Sequence, residues 1–193
     1  MELGYATLVQ LIQQMFDLPA EQRMALDGRF KYFQRLHLPA QANVGRQRAV
    51  YDGEAVLQTA LAFQLLDCGV RPASAAATVL HQWPAIADAL RDAWANQIRA
   101  GPRSGPFLGI APRALDGLGH RGARPPGWCG VLTKADLIAW CDDATAEQIL
   151  IVHLPRFVAA VVNGLDRVSP GDGLAMRTWL AGGRSRATRR GQR

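Results

Sequence analysis

The chain of 193 residues is long enough for one large domain or two small ones with a substantial buried core. Hydrophobic residues make up 49% and charged residues 20%, as in an ordinary globular protein, and no apolar run reaches the ~18 residues of a membrane span. The N-terminus lacks the basic flank and apolar core of a signal peptide, so we expect a cytoplasmic protein with no membrane partner. Three irregularly spaced cysteines argue against a disulfide framework.

The net charge of +6 comes from the second half of the chain. Residues 1–100 hold nine basic and nine acidic side chains, whereas residues 101–193 hold thirteen basic and seven acidic ones. Two stretches stand out because they contain several basic residues and no acidic ones, namely those between Asp27 and Asp52 and after Asp172. Such stripes are typical of proteins that bind a polyanion, since each cation that neutralises a phosphate releases a counterion.

Apolar spacing predicts two helical stretches at the start of the chain. Residues 5–16 have the pattern of an amphipathic helix. Residues 19–38 have a second helical pattern, which Gly28 weakens in the middle, so that two shorter helices are an alternative. Residues 40–50 lack a helical pattern and contain Gly45 within a basic segment, which favours a short hairpin.

Capping signals then predict further helices. One begins at Asp52 or Gly53 and ends before Gly69, which is suited to a helix C-terminus. Pro72 opens the next helix, and Trp83-Pro84 marks its boundary. Residues 85–98 then form a last amphipathic helix of the N-terminal half.

The second half of the chain is less regular. Residues 99–127 are rich in Gly, Pro and Arg and are predicted to be a linker, with one short apolar run at 107–110. Residues 149–154 form a strand candidate, and residues 157–165 form an apolar helix. Residues 183–193 are predicted to be a disordered basic tail, because they are charged and small with nothing to bury.

The segment from Arg29 to Arg35 has the strongest functional pattern. On a helix its exposed arc would hold four polar or basic side chains, while Phe30 and Phe33 would face inward as an aromatic core. A basic helix with this anchor can enter the major groove of DNA and place cations on base edges or phosphates. The candidate DNA-binding residues are four on this helix and two on the hairpin beside it: Arg29, Lys31, Tyr32, Arg35, Arg46 and Arg48.

The order of these segments resembles the MerR-type winged helix-turn-helix over residues 20–80. Lys31-Tyr32-Phe33-Gln34-Arg35 resembles the family's recognition-helix run, and Leu38-Pro39 resembles its exit, although His37 stands where the family commonly has Gly. The segment from Arg46 to Glu54 resembles the basic wing and the next helix start, and the segment from Leu65 to Ala73 resembles the later turn. No heptad pattern runs on from residue 85, so the family's long dimerising coiled coil is not expected here.

The predicted elements and the resemblance together imply a mainly α fold with a small β component, made of an N-terminal MerR-like winged helix-turn-helix and a small α+β C-terminal module. Residues 1–98 would form the MerR-like DNA-binding domain with flanking helices, and residues 99–127 the linker. Residues 128–182 would form a small α+β module for dimerisation or protein contact. The expected partners are double-stranded DNA, RNA polymerase or another transcription factor, and a second copy of the chain as a possible homodimer. A location at the nucleoid follows from DNA binding.

The sequence contains no phosphate-binding loop, nucleophile motif or metal-ligand spacing, so we expect no enzyme activity, no metal and no cofactor. Two other functions stay open. One is a protein-interaction adaptor on the same scaffold, which would have no salt-dependent affinity for DNA. The other is a non-specific nucleic-acid-binding accessory protein driven by the basic tail, whose binding would be lost when residues 184–193 are removed.

Overall fold

The structure is a computed structural model that describes residues 1–40, 50–100, 105–111, 129–143 and 149–182. These residues form seven α-helices and two small antiparallel sheets, so the prediction of a mainly α fold with a small β component is confirmed. None of the helices in the described ranges is long and apolar enough to cross a membrane. The predicted hairpin with Arg46 and Arg48, and the predicted basic tail, lie outside the described residues.

The N-terminal elements are tied together by the first sheet. Strand β1 (Leu3–Gly4) pairs antiparallel with β2 (Val50–Tyr51), with Leu3 opposite Tyr51. Helix α1 (Tyr5–Met15) follows β1 and buries one apolar face, as its spacing predicts. This pairing brings the start of the chain next to the segment that follows the candidate hairpin.

Helix α2 (Arg23–Arg35) follows a single 3₁₀ turn at Ala20–Gln22. It continues through Gly28 without a break, so the alternative of two shorter helices is wrong. Gly28 is exposed, and its extra backbone entropy costs only about 1 kcal/mol, which the buried side chains Leu26 and Phe30 on the same helix offset.

Helix α3 (Gly53–Asp67) is the central helix of the fold. Asp52 caps it by accepting a hydrogen bond of 2.8 Å from the backbone N–H of Ala55. Nearly every side chain from Ala55 to Leu65 is buried, because other helices surround it. Gly69 ends the helix with a φ of 83°, and its N–H donates to the carbonyl of Leu66. The predicted start and end of this helix are therefore confirmed.

Helix α4 (Pro72–Ala100) begins at the predicted proline but does not stop at Trp83-Pro84. The predicted boundary there is wrong, and residues 85–98 are the second half of one long helix. A proline inside a helix removes a backbone hydrogen bond and costs about 3 kcal/mol. Here Pro84 is exposed, while Trp83, Ile86 and Leu90 are buried on both sides of it, so tertiary packing outweighs the local penalty.

The second sheet has the order β4-β3-β5 and is antiparallel throughout. Strand β3 (Phe107–Ile110) is central, between β4 (Cys129–Leu132) and β5 (Leu150–His153). The short apolar run predicted within the linker is therefore the middle strand of a sheet. The strand predicted at residues 149–154 is confirmed as β5. Helix α5 (Lys134–Asp143) follows β4.

Two helices complete the chain's described part. Helix α6 (Leu154–Val168) contains the predicted apolar helix and is capped by His153, whose Nδ1 accepts from the N–H of Arg156. Helix α7 (Pro170–Gly182) contains Gly171, Asp172 and Gly173 in its first turn. Ser169 Oγ donates to a carboxylate oxygen of Asp172 at 2.6 Å, which fixes the first turn of α7.

One cluster of buried side chains runs through the fold and includes residues from Leu3 to Leu180. Helix α6 packs against α1, α4 and α7, so side chains of the predicted DNA-binding domain and of the predicted C-terminal module share this core. The division of the chain into those two units stays a prediction.

The contact between α1 and α6 depends on the absence of a side chain at Gly164. A β-carbon added there would lie 2.6 Å from Cδ1 of Leu11. We expect Gly164→Val to lower the free energy of unfolding by about 1–3 kcal/mol, because overpacking forces the helices apart. Urea denaturation followed by circular dichroism measures this change.

The matched control is Gly28→Ala, also inside a helix, where an added β-carbon meets no atom within 4 Å. This change should raise the free energy of unfolding by about 0.5–1 kcal/mol through helix propensity alone. Unchanged stability of the valine variant would contradict the close approach of α1 and α6.

Candidate nucleic-acid interface on helix α2

Four of the six predicted site residues lie on α2. Arg29, Lys31 and Arg35 are exposed, and Tyr32 is 39% exposed. At about 100° per residue these four positions share an arc of about 160° around the helix. The structure thus brings Arg29, Lys31, Tyr32 and Arg35 onto one surface, which we call the basic arc. Arg46 and Arg48 are outside the described residues, so their position relative to this arc is a prediction.

The opposite side of α2 is held by an aromatic cluster. Phe30 and Phe33 are 2% and 1% exposed, as the sequence predicts, and both contact Phe63 of α3. The ring centroids of Phe30 and Phe63 are 4.8 Å apart, and those of Phe33 and Phe63 are 5.3 Å apart. Tyr5 packs edge-on against Phe30 with centroids 5.4 Å apart. These contacts fix the rotation of α2 about its axis and keep the basic arc directed outward.

Asp27 is the acidic residue of α2, and its carboxylate is engaged. Tyr5 Oη donates a hydrogen bond of 2.7 Å to Asp27 Oδ1, and Arg23 Nε lies 3.6 Å from the same oxygen. Burial, followed by the hydrogen bond to Asp27, raises the pKa of Tyr5, so this hydroxyl stays a donor. The negative charge beside the basic arc is therefore partly compensated within the protein.

Two contacts order the C-terminal end of α2. The guanidinium of Arg35 lies 5.4 Å from the ring centroid of Tyr32, a cation–π distance. Gln34 Nε2 donates to the hydroxyl of Tyr51 at 3.1 Å, which connects α2 to strand β2. Burial raises the pKa of Tyr51. The last turn of α2 is therefore attached to the first sheet.

The chain leaves α2 in a fixed direction. His37 has a φ of 59°, the left-handed region that favours glycine. Leu38 is buried, and its N–H donates to the carbonyl of Phe33. The buried side chain of Gln58 accepts a hydrogen bond of 2.9 Å from the N–H of Ala40. The exit of the candidate helix is thus anchored to the central helix α3.

Sequence reasoning missed the residues that hold α2 in place. Tyr5, Gln34 and Gln58 act through contacts with residues 17 to 22 positions away along the chain. No local pattern signals such contacts, because the spacing rules for helices reach only three or four residues. The exposed cations were found because the helical period alone predicts them.

No protein-family model, no curated protein and no solved structure matches this chain. The assignment of the basic arc therefore depends on its own chemistry and position.

Proposed function

We propose that the protein is a sequence-specific DNA-binding transcription regulator that inserts α2 into the major groove. The observation that carries this proposal is the basic arc. Within the described residues Arg29, Lys31 and Arg35 have no ion-pair partner, and the helix that presents them is anchored by buried aromatic rings. The major groove of B-DNA is wide enough for one helix, and unpaired arginine and lysine side chains suit guanine edges and phosphates.

The arrangement around α2 supports the resemblance to MerR-type proteins. Helix α2 is followed by Leu38-Pro39, and after residues 41–49 the chain continues with Tyr51-Asp52 and the long helix α3. A turn at Gly69 then leads into α4. The positive φ of His37, where the family commonly has Gly, agrees with a tight exit at that position.

In this proposal Arg46 and Arg48 belong to a wing that contacts the neighbouring DNA backbone. The C-terminal module would contact a protein partner such as RNA polymerase or a second copy of the chain. Val50, the residue after the proposed wing, is opposite Gly4 in the pairing of β1 with β2, and Gly4 directly precedes α1. This pairing supports the proposal because it would attach the end of the wing to the helices of the domain.

The proposal is tested by binding purified protein to a pool of genomic duplex fragments at several salt concentrations, followed by sequencing of the retained fragments. We expect enrichment of one motif that persists at about 0.2 M salt, because base contacts are less salt-sensitive than phosphate contacts. A palindromic motif would indicate a dimer.

The rival functions predict other outcomes of the same experiment. Uniform retention that disappears with salt, and with removal of residues 184–193, would replace the proposal with a non-specific role for the tail. Absence of any retention at low salt would contradict DNA binding and favour the protein-interaction adaptor.

A further inference from the structure

A cleft of 390 Å³ lies beside α2, away from the centre of the basic arc. It is bounded by the residues that follow α1, by the first half of α2 and by the last turn of α3. Its volume falls in the range of small-molecule sites, which is about 300–1,000 Å³. The residues on its walls come from two helices, α2 and α3, and from the segment that connects α1 to α2.

The floor of the cleft is apolar and partly aromatic. Phe16 and Leu18 come from the segment after α1, Leu26 from α2, and Phe63 and Leu66 from α3. Phe63 is the ring that also contacts Phe30 and Phe33 of α2. Aromatic walls favour an aromatic ligand, because offset and edge-to-face ring contacts add to the gain from burial.

Two opposite charges line the same cleft. Arg29 and Asp67 both border it, together with the amide of Gln22. Among the described residues neither Arg29 nor Asp67 has an ion-pair partner, and they do not pair with each other. Asp67 is the last residue of α3, where the helix dipole adds negative potential. Gln22 precedes the first residue of α2, where the dipole of that helix adds positive potential.

We propose that this cleft binds a small aromatic zwitterion of the class of aromatic α-amino acids. The carboxylate would pair with Arg29 and the ammonium group with Asp67, while the ring would lie on the apolar floor. An apolar acid or an apolar amine would leave one of the two charged side chains unpaired. The arrangement of one cation and one anion over an aromatic floor therefore selects the zwitterion over either analogue.

The site has a regulatory consequence that rests on the proposed function. Arg29 belongs to both the cleft and the basic arc, so a ligand carboxylate on Arg29 withdraws one cation from DNA. Occupancy of the cleft is then expected to lower affinity for DNA, and DNA to lower affinity for the ligand by the same factor.

The test uses the full chain and three probes measured by isothermal titration calorimetry: L-phenylalanine, phenethylamine and 3-phenylpropionate. We expect L-phenylalanine to bind and each analogue to bind at least about 5-fold more weakly, since each lacks one charge pair. No binding of L-phenylalanine, or equal binding of all three probes, would overturn the proposal.

Two variants test the proposed charge pairs of Arg29 and Asp67 separately. Arg29→Gln should remove the preference for L-phenylalanine over phenethylamine, and Asp67→Asn the preference over 3-phenylpropionate. Arg156→Gln and Asp92→Asn are matched controls, because both residues are exposed and neither lines the cleft or belongs to the basic arc. Ala25→Trp, at an exposed position on the wall, should block all binding. Unchanged preferences in the Arg29 and Asp67 variants would contradict the assigned pairs.

Failure of the ligand site and failure of the proposed function are separable. Binding of L-phenylalanine is measured without DNA, and selection of DNA fragments is measured without ligand. A protein that binds the amino acid but no DNA would retain the site and lose the regulator assignment, whereas the reverse result would remove only the ligand.

Discussion

Replacing Lys31 and Arg35 together with alanine is expected to weaken binding to the selected DNA by about 10- to 100-fold at physiological salt. Both side chains are exposed on the basic arc, and neither has an ion-pair partner within the described residues, so their loss removes contacts to DNA without breaking an ion pair of the described structure. Within the protein it removes the exposed cation–π contact of Arg35 with Tyr32. The slope of log affinity against log salt should also fall by about 2, one unit for each cation that contacts a phosphate. Fluorescence anisotropy with a labelled duplex measures both quantities.

The control for this double variant is Arg156→Ala with Arg167→Ala. Both arginines are exposed on α6, and the change in net charge is the same. If affinity depends only on total charge, the two double variants will weaken binding equally, and the assignment of α2 will be wrong. If α2 enters the groove, the α6 variant will retain most of the affinity. Urea denaturation should show the same stability for both variants within about 1 kcal/mol, since all four residues are on the surface and only the exposed cation–π contact of Arg35 is lost in addition.

Helix ends marked by a local signal could be predicted from the sequence. Asp52 and Gly69 bound α3 because a capping carboxylate and a residue with positive φ act on the nearest turn only. The helix boundary predicted at Pro84 is wrong because the local penalty of the proline is outweighed by the burial of its neighbours Trp83 and Ile86. Local signals therefore place helix ends correctly where tertiary packing does not oppose them.

Elements that depend on distant partners could not be predicted. Strand β3 resembles part of a linker because both of its partners follow later in the chain. At Gly173 an added β-carbon would collide with the carboxylate of Asp166 on α6, so this glycine permits the close packing of α7 against α6. A glycine required by packing and a glycine required by a turn look the same in a sequence.

In the candidate site, too, some features could be predicted from the sequence and others required the structure. The basic arc follows from the helical period, which places Phe30 and Phe33 on one side and the cations on the other. The Tyr5–Asp27 hydrogen bond and the partner of the two phenylalanines on α3 required the structure. The sequence therefore indicates which residues are exposed on α2, whereas the contacts that fix the position of the helix are visible only in the structure.

The side chain that holds α2 most directly is Phe63, and its removal should have the largest effect on stability. It is 5% exposed and contacts both Phe30 and Phe33. We expect Phe63→Ala to lower the free energy of unfolding by about 3–5 kcal/mol, because it leaves a cavity at the centre of the aromatic cluster. Urea denaturation followed by tryptophan fluorescence measures the loss.

Met24→Ala is the matched control on α2, since this side chain is 85% exposed and its removal should change stability by less than about 0.5 kcal/mol. If the Phe63→Ala variant is folded in the absence of urea, its affinity for DNA also tests whether the aromatic cluster orients the basic arc. The basic arc keeps all its cations, so a loss of DNA affinity under conditions where the variant is folded must come from movement of α2. Affinity equal to that of the unmodified chain would mean that the aromatic cluster contributes stability alone and does not orient the basic arc.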